Sequence, residues 1–213
     1  MVSNNFLNKL LDPVTNTNML KHINSKIDKY GNTYLFHAIR HQNMDVINLL
    51  IKNNVKFNIK NNDGNTSLHI LFDLINQMIS KFDNNIIKYL EIIKKCKFKK
   101  IDLNIKNNDN ITPLDILTNI DKKDADGNTL LHNLLFINNY ELAILCINLF
   151  NPNINLQNNE GNTLLHLTML NCISFFDDIE VYYFLHFLIK TGANENIKNK
   201  LGTYPVHIFS LIF

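Results

Sequence analysis

A six-residue phrase recurs along this chain and limits what it can fold into. Gly127-Asn128-Thr129-Leu130-Leu131-His132 returns unchanged as Gly161-Asn162-Thr163-Leu164-Leu165-His166, 34 positions on. Gly64-Asn65-Thr66-Ser67-Leu68-His69 is a third copy, and Gly31-Asn32-Thr33-Tyr34-Leu35-Phe36 is a fourth, 33 positions before the third. Asn110-Ile111-Thr112-Pro113-Leu114-Asp115 and Gly202-Thr203-Tyr204-Pro205-Val206-His207 are altered versions. Self-similarity at this period implies a solenoid, in which each unit hides its apolar side against the next.

Each residue type in the phrase has a physical task. Glycine admits the tight turn that a side chain would oppose. Threonine stands where a helix begins, so its hydroxyl can cap the first free N–H groups. Leucine points inward, and the histidine can bond to the backbone of the turn or of the neighbouring unit.

The phrase resembles Gly-x-Thr-Pro-Leu-His, the motif of ankyrin repeats, and the resemblance runs from about Ile23 to the C-terminus. It implies an all-α ankyrin-repeat solenoid of stacked helix-turn-helix units with short β-hairpin-like connecting loops. On this reading residues 1–213 form one ankyrin-repeat domain. Residues 1–27 are an N-terminal cap in which Phe6, Leu7, Leu10 and Leu11 recur at helical spacing.

Repeats follow near 28–61, 62–109, 110–126, 127–160 and 161–200, with 201–213 a partial C-terminal cap. In the first repeat, helices are expected over Tyr34 to His41 and Asp45 to Lys52. The second is stretched, and its surplus fits Asp73 to Asn85, prolonging the first helix before a second over Ile86 to Ile93. The third is clipped: 17 residues separate Asn110 from Gly127, room for one helix over Pro113 to Asn119. The fourth has its second helix at Tyr140 to Phe150. The fifth carries an insertion near Asn171 to Ile179 and then a helix holding Val181, Phe184, Leu185 and Leu188.

Composition narrows the chemistry. The formal net charge is +2, and the 21 basic residues include one arginine, Arg40, which argues against nucleic acid because arginine supplies bidentate base and phosphate contacts. Asparagine occurs 38 times and reads first as solvated turn residues. Lys94, Lys95, Lys97, Lys99 and Lys100 read as a solvated helix end. Cys96, Cys146 and Cys172 share no metal-ligand spacing and read as buried reduced thiols, which suits an intracellular compartment, cytoplasmic or also nuclear. The histidines of the phrase belong to different units, whereas zinc needs its ligands around one point. No metal, cofactor or catalytic constellation is expected, so the chain reads as no enzyme. No stretch is long and apolar enough for a membrane span.

What remains is a surface. In ankyrin proteins the hairpin tips and the exposed faces of first helices line a groove that grips protein partners. The resemblance therefore implies contacts at Lys60, Asn62 and Asp63, at Arg40 and His41, and at Asn158, Asn159 and Glu160. Asn133, Phe136, Thr168 and Asn171 fall on first helices. Phe175 and Phe176, in the inserted loop, either fold back on the stack or anchor a partner. The apolar stretch Val206 to Phe213 is a cap packed inward, a homodimer or partner contact, or the edge of a truncated chain.

The chain resembles the short ankyrin proteins of large DNA viruses, some of which are IκB-like or interfere with host signalling. That likeness implies a protein–protein interaction module that sequesters a host signalling protein of an immune or NF-κB-type pathway. The alternative is a substrate-recruiting adaptor for a ubiquitin ligase, for which Phe209 to Phe213 would have to serve as the F-box-like segment.

Overall fold

In four copies of the phrase the threonine is the last extended residue before a helix. Thr33, Thr66, Thr129 and Thr163 have φ of −92°, −90°, −84° and −87° with ψ between 167° and 174°. The structure, a computed structural model, describes residues 20–97, 101–175 and 177–211. The helical cap expected from Phe6 to Leu11 lies outside them, as do Lys99, Lys100 and Phe176. Eight α-helices and no β-strand occur among the described residues, the nearest approach to a sheet being an isolated antiparallel bridge between Lys26 and Thr33. The described residues are therefore all-α, with helix pairs set off by the recurring phrase.

The chain divides into two compact units, Met1–Thr118 and Asn119–Phe213. In the first, α1 (Tyr34–Arg40) is followed by α2 (Met44–Lys52), α3 (Ser67–Lys81), α4 (Ile86–Lys97) and a 3-10 turn, η1 (Leu114–Ile116). Asn43 starts α2 by accepting the Val46 N–H at 3.1 Å, leaving one fewer orphan donor at that end. α1 packs on α2 and α3, and α3 packs on α4 and η1. Leu35, Ile39, Ile47, Leu50, Leu68, Phe72, Ile75 and Leu90 are wholly buried, placing the core where the helix pairs face each other.

The surplus of the second repeat prolongs its first helix as expected. α3 has 15 residues where α1 has 7. It stops at Phe82, a non-glycine residue in the left-handed region with φ 54°. The third repeat departs from expectation. Instead of a helix over Pro113 to Asn119, it makes only the 3-residue turn η1. The turn ends at Leu117, whose ψ of 84° leaves the helical region.

In the second unit α5 (Leu130–Phe136), α6 (Tyr140–Phe150), α7 (Leu164–Ser174) and α8 (Ile179–Lys190) precede η2 (Pro205–Leu211). First helices pack on first helices, α5 on α7, and second on second, α6 on α8; η2 packs on α7. Asn139 and Asp178 cap α6 and α8 through Leu142 N–H at 3.1 Å and Glu180 N–H at 2.9 Å. Phe184, fully buried, lies 5.4 Å from the Tyr140 ring, centroid to centroid. The C-terminal helix expected after Gly202 is the 3-10 segment η2. Cys146 is buried among these helices, and desolvation pushes its thiol up to about 12, keeping it protonated.

Candidate interaction surface

Every hairpin is closed by an Asn or Asp three positions before the turn residue. Asn61 shows the pattern: its Oδ1 accepts the N–H groups of Asp63 (3.0 Å) and Asn65 (2.9 Å), and its own N–H donates to Asn65 O at 2.9 Å. Asn107, Asn158 and Asn199 repeat these bonds. Here the side chain mimics a backbone turn, which is why this position takes Asn or Asp.

The second amide atom reaches the preceding repeat. Nδ2 of Asn61 donates to Asn32 Oδ1 at 3.1 Å, Asn107 to Asn65 at 2.8 Å, Asn158 to Asn128 at 3.1 Å and Asn199 to Asn162 at 3.0 Å. Asp28 and Asp124 begin the two runs of this ladder and have no amide to donate. Their second oxygens instead accept inside their own repeat, Asp28 from Asn32 Nδ2 and His37 Nε2, both at 2.9 Å, and Asp124 from Asn133 Nδ2 at 3.1 Å. Burial alone would raise the Asp28 pKa, but these bonds outweigh it and hold the carboxyl below its ordinary range.

The histidines make a second tie. Nδ1 of His69, His132 and His166 accepts the backbone N–H of Thr66, Thr129 and Thr163 at 3.0–3.2 Å, completing a capping box with histidine where glutamate usually stands. The opposite Nε2–H donates to a carbonyl of the next repeat: Ile111 at 3.0 Å, Asn162 at 3.2 Å and Thr203 at 3.1 Å. Desolvation lowers the pKa of all three, so the ring is neutral and free to accept on one nitrogen while donating from the other. Asp115 keeps the cap, its carboxylate accepting the Thr112 N–H at 2.8 Å. A carboxylate has no second N–H to pass on, and the first unit closes at Thr118. His207 makes a different contact, lying edge-on to Tyr204 at 5.2 Å.

Several residues expected to meet a partner also take part in these ties, Lys60, Asn62 and Asn159 while staying exposed. Asn158 is 8% exposed and holds its turn and the ladder together. Asn62 and Asn159 donate Nδ2–H to the Lys29 and Ala125 carbonyls of the preceding hairpin at 3.0 and 2.8 Å. Lys60 donates to Lys106 O at 2.8 Å, Asn133 is held by Asp124, and Thr168 is buried with its hydroxyl on Leu164 O at 2.8 Å. Asn171 ties α7 to the α5–α6 turn through Leu135 O at 3.2 Å and the Tyr140 hydroxyl at 3.0 Å.

Others stand at the surface. Asp63 and Glu160 are exposed hairpin tips whose carbonyls accept the N–H groups of Asn108 and Lys200 at 3.0 Å. Arg40 is exposed at the end of α1, with His41 half-buried after it and stacked on His37 at 6.4 Å. Phe136 is 55% exposed and Phe175 45%. Leu170, 42% exposed, was not singled out by sequence reasoning, although it occupies the position of Phe136 one repeat later. A fixed offset of nine from the glycine marks both, as it marks exposed Arg40 and Asp73. Among the described residues no group of three or more His, Cys, Asp or Glu could hold a metal ion, and no helix is long and apolar enough to cross a membrane.

Asx-closed hairpins and histidine capping boxes that recur with helix pairs along the chain are the pattern of ankyrin repeats. Residues 30–59 match the ankyrin repeat family model. Two curated ankyrin repeat proteins of variola virus are each 36% identical to it over 102 residues, covering 45% of this chain and 16% of theirs. The chain thus aligns with only a small part of the curated relatives it matches. Solved structures similar to it include an ankyrin repeat protein (17% identity, 97% of this chain and 90% of that one, TM-score 0.40). Another is an ankyrin repeat domain from Acinetobacter baumannii (20%, 96% and 87%, TM-score 0.41). At scores this low the assignment rests on the family model and on the repeated geometry. Ankyrin repeats are protein–protein interaction modules, and this one resembles viral examples.

Proposed function

We propose that the chain is a non-catalytic module that sequesters a host signalling protein, of the kind that an IκB-like inhibitor holds in an immune or NF-κB-type pathway. The observation that carries this reading is the division of labour along each repeat. The turn-closing asparagines and capping histidines tie repeat to repeat, whereas the position nine residues after Gly31, Gly64, Gly127 and Gly161 (Arg40, Asp73, Phe136, Leu170) is at the surface and differs in chemistry from repeat to repeat. A scaffold built alike, with one variable exposed position, suits partner recognition. The likeness to variola virus ankyrin repeat proteins supports a role between virus and host.

Affinity capture from host-cell lysate, followed by mass spectrometry, tests it. Recovery of transcription-factor subunits is the expected result. Cullin-ligase components would replace sequestration by the ubiquitin-ligase adaptor reading, and an empty capture would overturn both.

A further inference from the structure

We infer that the end of the second unit formed by the α5–α6 turn, the C-terminus of α7 and the N-terminus of α8 docks a basic, amphipathic segment of a protein partner. This rests on the interaction-module reading above and adds the chemistry of the partner. Phe136 and Leu170 hold the same register on adjacent first helices, and both are about half exposed. Asn171 fixes α7 against the α5–α6 turn through Leu135 O, Asn138 Oδ1 and the Tyr140 hydroxyl, so Leu170 and the following Phe175 stand on the same end of the unit as Phe136. The apolar groups are therefore held on tied elements, which lowers the ordering cost of binding.

Charge identifies the occupant. From Asp124 to Ile189 the chain has seven carboxylates and neither lysine nor arginine. Three of those carboxylates, Asp177, Asp178 and Glu180, lie within five residues of Phe175, and the last two act electrostatically on the Tyr140 hydroxyl at this end. The unit's cations stand elsewhere. Lys122, Lys123, Lys198 and Lys200 belong to the hairpins, Lys123 being bonded to Gln157 O at 2.7 Å. Lys190 closes α8, eleven residues beyond its first residue Ile179, or about 17 Å along the axis at the usual helical rise. An apolar strip bordered by carboxylates, one of which also caps α8, with neither lysine nor arginine in the surrounding sequence, selects a helix with leucine-like residues on one face and lysine or arginine beside them.

Fluorescence anisotropy with the full chain tests the inference. The probe is a labelled helical peptide of about five turns, with leucine at i, i+3, i+4 and i+7 spacing and lysine elsewhere. Binding should weaken by about tenfold or more in Phe136→Ser with Leu170→Ser. In Asp177→Asn with Asp178→Asn and Glu180→Gln, binding should weaken and its salt dependence should flatten. Leu201→Ser, at an 86% exposed apolar residue away from this end, should leave binding unchanged. The inference is overturned by equal binding of the glutamate-for-lysine peptide or of a lysine peptide with serine in place of leucine. It is also overturned if sedimentation equilibrium shows a dimer that Phe136→Ser dissociates, since the occupant would then be a second copy. The two readings fail separately. A captured host protein that binds the Phe136→Ser, Leu170→Ser chain undiminished sinks this inference and leaves sequestration standing. Peptide binding with an empty host capture does the reverse.

Discussion

Asn158 donates its side-chain amide to Asn128 Oδ1 across 3.1 Å, and both residues are buried. The bond joins two successive hairpins, and it needs an amide at one end and a carbonyl at the other. Asn158→Asp would set a carboxylate against that carbonyl oxygen while still closing its own turn. The expected loss is about 1–3 kcal/mol, the ordinary cost of a buried partner left unsatisfied. Urea denaturation measures it, and an unchanged midpoint would show that the ladder contributes nothing.

His132 spans the same gap by another route, from Thr129 at its Nδ1 to Asn162 O at its Nε2. His132→Ala removes both bonds and leaves a cavity, so a loss of about 2–4 kcal/mol is expected. His207→Ala, at an exposed ring, should stay within about 0.5 kcal/mol of the unaltered protein. The contrast between the two melting temperatures is the measurement.

Acid should loosen the stack before it titrates most carboxylates. His37, His69, His132 and His166 all have pKa values lowered by desolvation in the folded state. Below the unfolded histidine value of about 6.5 the unfolded chain therefore binds more protons, and stability falls as pH drops through and below that value. Above it their contribution is fully present. Denaturant midpoints between pH 5 and 8 should show this slope, and His166→Ala should make it shallower.

Gly127 and Gly192 share a positive φ, 74° and 94°, but not a neighbourhood. A Cβ at Gly127 would stand 2.7 Å from the Asn159 backbone nitrogen, whereas at Gly192 it would meet nothing within 4 Å. Gly192→Ala should cost about 1–2 kcal/mol for the left-handed conformation alone. Gly127→Ala must add to that the displacement of the next hairpin, and its thermal midpoint should fall further.

Phe184 is the largest test of the second unit's core, with no exposed surface and Tyr140 against its ring. Phe184→Ala should cost about 3–5 kcal/mol. Arg40→Ala, at the surface, should change little. A near-zero effect of the phenylalanine change would contradict the packing described.

The period, the helix starts and the long first helix of the second repeat were legible because each depends on a local signal. Threonine before an apolar turn and a counted surplus of residues act within one repeat. The clipped third repeat was legible as a weakness but not in its form, since whether Pro113 to Asn119 winds into a helix depends on what packs on it. The many asparagines read as solvent-facing, and this misjudged positions such as Asn61 and Asn158. Their fixed offset from the glycine was available, but their donors face residues about 30 positions away.

The sequence by itself determined that a turn-and-helix unit recurs and where the first helix of each regular repeat begins, because capping and turn chemistry act over three or four residues. It also carried, unread, the marks of the two runs: an amide-less aspartate opens each, at Asp28 and Asp124. Only the tertiary structure decided which polar side chains bind the repeats together and which stand at the surface. Burial and hydrogen-bond partners are set by the neighbouring repeat, and no single repeat contains its neighbour.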